Sequence, residues 1–121
     1  MITFKEKAKA IRDVIDMEVD PENIDELQGK LMRLVNMVGL SAELKAHAKR
    51  DLLNAQSVAL SGLDQKLAPT ILRMHIDGLI ADQESQFVYA DRLNAGITHA
   101  IDSIRTIISL RKSEMEQSLR Q

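Results

Sequence analysis

Residues 76–115 read IDGLIADQESQFVYADRLNAGITHAIDSIRTIISLRKSEM, and this stretch decides the fold class. Ile76, Ile80, Gln83, Phe87, Ala90, Asn94, Ile97, Ile101, Ile104, Ile108, Arg111 and Met115 follow one another at alternating steps of four and three. Nine of these twelve positions are apolar. A repeat averaging 3.5 residues places one side chain in every turn on the same side of a helix, which is the seam of coiled coils and helical bundles. Leu79, Leu93, Ala100 and Ile107 widen the seam into a broader apolar face, which suits a bundle better than a bare two-stranded coil.

Pro69 lies upstream at a position suited to helix initiation, and no strong breaker follows it. The expectation is one helix over 69–115, about 70 Å long at 1.5 Å per residue. Gly78 and Gly96 are its weak points, each costing about 1 kcal/mol relative to alanine.

Three shorter helices are expected before it. Over 3–18, Thr3 and Glu6 have capping-box spacing, and Phe4, Ala8, Ile11 and Ile15 share a face. Over 22–38, Asp20 and Pro21 start a helix whose stripe is Ile24, Leu27, Leu31, Leu34 and Val38, and Gly39 suits its end. Over 41–60, Ser41 serves as the cap, and Leu44, Ala48, Leu52, Ala55 and Ala59 form the stripe. Ala42 and Ala46 beside that stripe permit close approach of another helix. Gly62 to Ala68 reads as a loop, and 117–121 as a fraying end. The fold class is all-α: three shorter helices and one long C-terminal helix in a single helical domain.

Helices of 15 to 20 residues reach about 22 to 30 Å, too short to cover a 70 Å seam. The expectation is therefore a homo-oligomer whose interface includes Ile76, Ile80, Phe87, Asn94, Ile97, Ile101, Ile104 and Ile108. Asn94, polar within the seam, is the residue expected to set register. Gln83 is expected at a solvated edge.

Composition narrows the function. The 121 residues include 16 basic and 18 acidic side chains, so no whole-chain field draws in nucleic acid or an anionic surface. Three aromatics and no tryptophan offer little stacking surface for single-stranded nucleic acid. The absence of cysteine excludes disulfides, thiolate zinc sites and cysteine nucleophiles. No apolar run is long enough for a transmembrane helix, and residues 1–5 lack a signal-peptide core, so a cytoplasmic location is expected.

No Glu-x-x-His pair, phosphate loop or nucleophile elbow is present. No catalytic residue, cofactor or metal ligand is assigned. Glu43 with His47, and His75 with Asp77, are isolated pairs. Arg92, His99, Asp102 and Arg105 form the one polar constellation on the seam helix, suited to an anion or acidic segment, or to an ion-pair network flanking an interface. Basic clusters at 5–12, 45–50 and 105–120 are interleaved with acids, which is the pattern of solvated faces.

Tyr89-Ala90-Asp91-Arg92-Leu93-Asn94, His99, Ile101-Asp102 and Ile104-Arg105-Thr106-Ile107-Ile108-Ser109 together resemble the C-terminal part of small all-helical proteins of bacterial prophages and mobile elements. The resemblance spans about 40 residues. It implies an accessory or assembly role and brings no catalytic or binding residue with it. The reading that results is a non-enzymatic interaction or assembly module that self-associates through its C-terminal helix. A nucleic-acid-associated protein with a composite basic surface is the alternative. An enzyme or metal site at His99, Asp102 and Arg105 comes third.

Overall fold

The computed structural model describes residues 3–63 and 66–120, and these form four helices with no strand among them. They are α1 (Phe4–Ile15), α2 (Ile24–Ser61), α3 (Pro69–Leu79) and α4 (Ala81–Arg120). The all-α expectation holds. The expected helix boundaries do not hold at several points, and each difference has a physical cause.

Helix α2 is one helix of 38 residues where two were expected. Gly39 does not terminate it, because the buried stripe passes through it in phase. Leu27, Leu34, Ser41 and Ala48 are seven apart and all buried, so the two expected stripes are one seam. Ser41 is no helix cap. It is the only buried polar residue among those described, 1% exposed, and its hydroxyl donates to Asn94 Oδ1 at 3.2 Å. A break at Gly39 would forfeit the packing of Leu34 and Leu44 on α4, worth more than the roughly 1 kcal/mol a helical glycine costs.

The start of α2 also differs. Asn23, not Asp20, is the cap, and its Oδ1 accepts from Glu26 N at 3.2 Å. Asp20 forms a turn instead: its Oδ1 accepts from Glu22 N, while its own N–H donates to Glu26 Oε2. Helix α1 keeps its capping box between Thr3 and Glu6 but ends at Ile15, short of residue 18. Lys30 Nζ donates to the carbonyls of Ile15 and Met17, both at 2.8 Å, and so satisfies acceptors that a longer helix would have used.

The long C-terminal element divides at Ile80, not at Gly78 or Gly96. Ile80 leaves helical geometry (φ −105°, ψ 6°) and is buried with Leu52 and Ala59, while its neighbour Leu79 is 63% exposed. Asp82 and Glu84 then favour the positive end of a new helix dipole. Helix α4 runs unbroken through Gly96 and past Met115 to Arg120. Of the expected loop, residues 64 and 65 lie outside the described residues, as does Gln121 of the expected frayed end.

Helices α2 and α4 form an antiparallel hairpin. Ser41 meets Asn94, Lys45 Nζ meets Asp91 Oδ1 at 2.9 Å, and Lys49 lies over the Phe87 ring at 4.9 Å. Steps of four forward on α2 match steps of three and four back on α4, which fixes the register. At 38 and 40 residues the two helices are each close to 60 Å long. The premise that the chain cannot cover its own seam is therefore overturned: Ala90, Ile97, Ile101, Ile104 and Ile108 are buried in one core with Leu27, Leu34, Leu44 and Ala48.

Helix α1 lies on one flank of this hairpin, with Ala8 and Ile11 buried in the same core. Residues 16–23 continue beside it as a strap: Val19 packs on the core, and Arg111 Nε donates to Pro21 O at 3.1 Å. Beyond that contact, residues 112–120 of α4 outrun α2 and are exposed throughout.

Candidate interaction interface

With α1 and the strap on one flank, the hairpin has a closed side and an open side. The closed side is filled. Ile15 lies against Gly96, where an added Cβ would meet its Cδ1 at 3.5 Å. Val14, Tyr89, Ala100 and Ile107 are partly buried against the same core. Arg12 Nη1 donates to the Tyr89 hydroxyl at 3.3 Å. That bond, with the nearby Asp16 carboxylate, raises the Arg12 pKa above its already high ordinary value, so the guanidinium stays charged at any usable pH.

The open side is different. Leu31, Val35, Val38, Ala42, Ala46 and Leu53 recur on α2 at helical steps, and all but the half-buried Leu31 are exposed. Val35 and Val38 are 47% and 43% exposed, Leu53 51%. Between α2 and α4 on this side runs a groove of about 460 Å³ lined by Ala42, Lys45, Ala46, Lys49, Phe87 and Asn94. Lys45 and Lys49 are held toward α4 by Asp91 and the Phe87 ring, which leaves the alanines facing outward. Asn94 lines this groove, and its Oδ1 accepts from the Ser41 hydroxyl.

A second recess, about 590 Å³, opens where α2 ends beside the α3–α4 bend. Asp51, Asn54, Ala55, Val58, Ala59, Gly62, Leu79, Gln83 and Gln86 line it. Gln83, expected at a solvated edge, is half-buried on this recess, and its Oε1 is buried with no hydrogen-bond donor among the described residues. Helix α3 itself has no buried residue, and Ile71 and Met74 face solvent.

The expected interface residues thus divide. Ile80, Ile97, Ile101, Ile104 and Ile108 are spent inside the chain; Ile76, Phe87 and Asn94 are half-buried, the latter two at the open groove. The polar constellation does not assemble. Arg92, His99, Asp102 and Arg105 are all exposed, and no hydrogen bond or ion pair joins any two of them. The contact at Asp102 is its backbone carbonyl accepting from Thr106 Oγ1. His47 Nδ1 accepts from Arg50 rather than meeting Glu43. Among the described residues no group of three or more His, Cys, Asp or Glu side chains is placed to hold a metal ion. Basic side chains at Lys9, Arg12, Lys45 and Arg111 are in ion pairs with Asp13, Asp16, Asp91 and Glu114. No described helix is long and apolar enough to cross a membrane.

The open stripe on α2 was missed from sequence because its residues were divided between two helices. Val35 and Val38 fell in one and Ala42 and Ala46 in the other. The signal was present as a continuous spacing across Gly39. Compared with protein-family models, curated proteins and solved structures, the chain gives no match.

Proposed function

We propose that this protein is a non-enzymatic helical assembly module that works as a self-associated unit, in keeping with a prophage-type accessory role in the cytoplasm. The observation that carries this reading is surface area. The chain exposes 8806 Å². A compact monomer of 13.6 kDa exposes only about 6,600 Å², so the surplus is on the order of 2,200 Å². A standard interface removes about 800 Å² from each partner. Exposed large apolar side chains include Val35, Val38 and Leu53 on the open side of the hairpin and Ile71, Met74 and Leu79 on α3. Large exposed apolar surface of this kind marks protein contact.

Self-association through the α4 seam alone has lost its basis, because α2 already occupies most of that seam. What supports association now is the surface that α2 and α4 leave open together. Light scattering coupled to size-exclusion chromatography tests the reading. The expected mass at micromolar concentration is a multiple of 13.6 kDa. A single species at 13.6 kDa under those conditions overturns it.

A further inference from the structure

The self-association reading leaves open which surface is used, and the structure distinguishes the surfaces. We propose that a second copy of this chain fills the open flank of the α2–α4 hairpin, related by a two-fold axis near Ala42, so that two hairpins make one four-helix core. This rests on the self-association reading and goes further by naming the contact.

The α2 stripe changes in side-chain size along its length. Its middle is small, Gly39, Ala42 and Ala46, and its ends are large, Leu31 with Val35 on one side and Leu53 on the other. A two-fold axis through Ala42 pairs each copy of α2 antiparallel with the other. Ala42 then faces its own counterpart, Val38 faces Ala46, Leu31 faces Leu53, and Val35 faces Lys49. Small residues lie where the helix axes approach most closely, and large residues lie where they diverge. An isologous contact requires a patch that is complementary to itself, and this patch is.

Length agrees with the pattern. From Leu31 to Leu53 is 22 steps, about 33 Å of helix. Val35, Val38, Ala42, Ala46 and Leu53 are exposed along that length, and α1 and the strap lie on the other side. The surplus of exposed area exceeds what a standard interface of about 800 Å² per partner removes.

Charge does not oppose the contact. Lys45 is neutralised by Asp91 within the chain, and the Lys49 ammonium is drawn over Phe87. Asn94 lines the groove, and its Oδ1 is already bonded to Ser41. The α3 end is a weaker alternative: its exposed Ile71, Met74 and Leu79 lie on an 11-residue helix, about 16 Å long, with no small-residue centre.

The chain has no cysteine, so single cysteines report proximity without background. Ala42→Cys, oxidised with diamide, should give a disulfide-linked dimer on a non-reducing gel, because a residue on the axis meets its own copy. Ser103→Cys on the outer side of α4 and Arg73→Cys on α3 should remain largely uncrosslinked. Ala42→Glu should halve the mass seen by light scattering while leaving the helical circular dichroism unchanged, since residue 42 is exposed within the chain. If the unmodified protein is a monomer, both the self-association reading and this contact fall. If it is an oligomer whose mass survives Ala42→Glu, or if Arg73→Cys crosslinks and Ala42→Cys does not, the contact at α2 falls and the broader reading stands.

Discussion

The two flanks of the α2–α4 hairpin have similar chemistry and opposite fates. On the closed flank Ile15 approaches Gly96, while Tyr89, Ala100 and Ile107 pack on the core on the side that α1 and the strap occupy. On the open flank Val35, Val38, Ala42, Ala46 and Phe87 offer a comparable alkyl and aromatic surface, and the chain covers none of it with a helix. Both flanks are products of the same rule, that a broad apolar face of a helical pair asks for a third and a fourth element. This chain supplies only the third. A single short helix of 12 residues and an extended strap cannot lie on both sides at once.

That contrast can be broken first at the core the flanks share. Ile97 is 2% exposed and packs between α2 and α4. Ile97→Ala should cost about 2–5 kcal/mol in urea or thermal unfolding, because the cavity lies beneath both flanks. A loss below about 1 kcal/mol would show that the hairpin core is not the seat of stability.

Next comes the polar link between the helices. Asn94→Leu removes the partner of a buried Ser41 hydroxyl, so it should cost about 1–3 kcal/mol even though it adds apolar surface. Combining it with Ser41→Ala should recover most of that loss, which is the mark of a coupled pair. If the two changes simply add, the bond contributes nothing. The sequence alone suggests the opposite sign for Asn94→Leu, because an asparagine in a seam reads as a specificity device paid for in stability.

Glycines sharpen the comparison further. Nothing lies within 4 Å of a Cβ added at Gly39, whereas one at Gly96 makes an ordinary contact with Ile15. Gly39→Ala should stabilise by about 1 kcal/mol through helix propensity alone. Gly96→Ala should also stabilise, with the new methyl group in contact with α1. Melting temperatures of the two variants, measured side by side in the Ala42→Glu background where the proposed contact is absent, check this; a loss at Gly39 there would show that the flank is packed within the chain itself. The smallest effect is expected at Tyr89→Phe, which removes the bond to the exposed Arg12 side chain but keeps the ring on the closed flank. Its unfolding midpoint should differ from wild type by less than that of Gly39→Ala, and a larger drop would show that the Arg12 contact helps to hold α1 in place.

Much of the fold is legible in the residues. The seam from Gln83 to Ile108 lies on one helix, with Ala90, Ile97, Ile101, Ile104 and Ile108 buried, and Thr3 with Glu6 starts α1. What misled was punctuation. Gly39 followed by Ser41 reads as a stop and a start, although a glycine costs only about 1 kcal/mol and tertiary burial outweighs it. Spacing on α4 suggests a polar group, but spacing on one helix says nothing about whether another element approaches. Arg92, His99, Asp102 and Arg105 meet only solvent.

The sequence by itself determined the class of structure, the heptad seam of the long C-terminal segment, and the lack of a recognisable catalytic or metal-binding motif. These are local properties, set by the 3.5-residue repeat and by composition. Only the tertiary structure decided that α2 is a single helix and long enough to cover α4, that Ser41 is buried against Asn94, and that α1 takes one flank and leaves the other open. The physical reason is that burial is shared between elements. A helical face records that it wants covering, and the lengths and register of its neighbours decide what covers it.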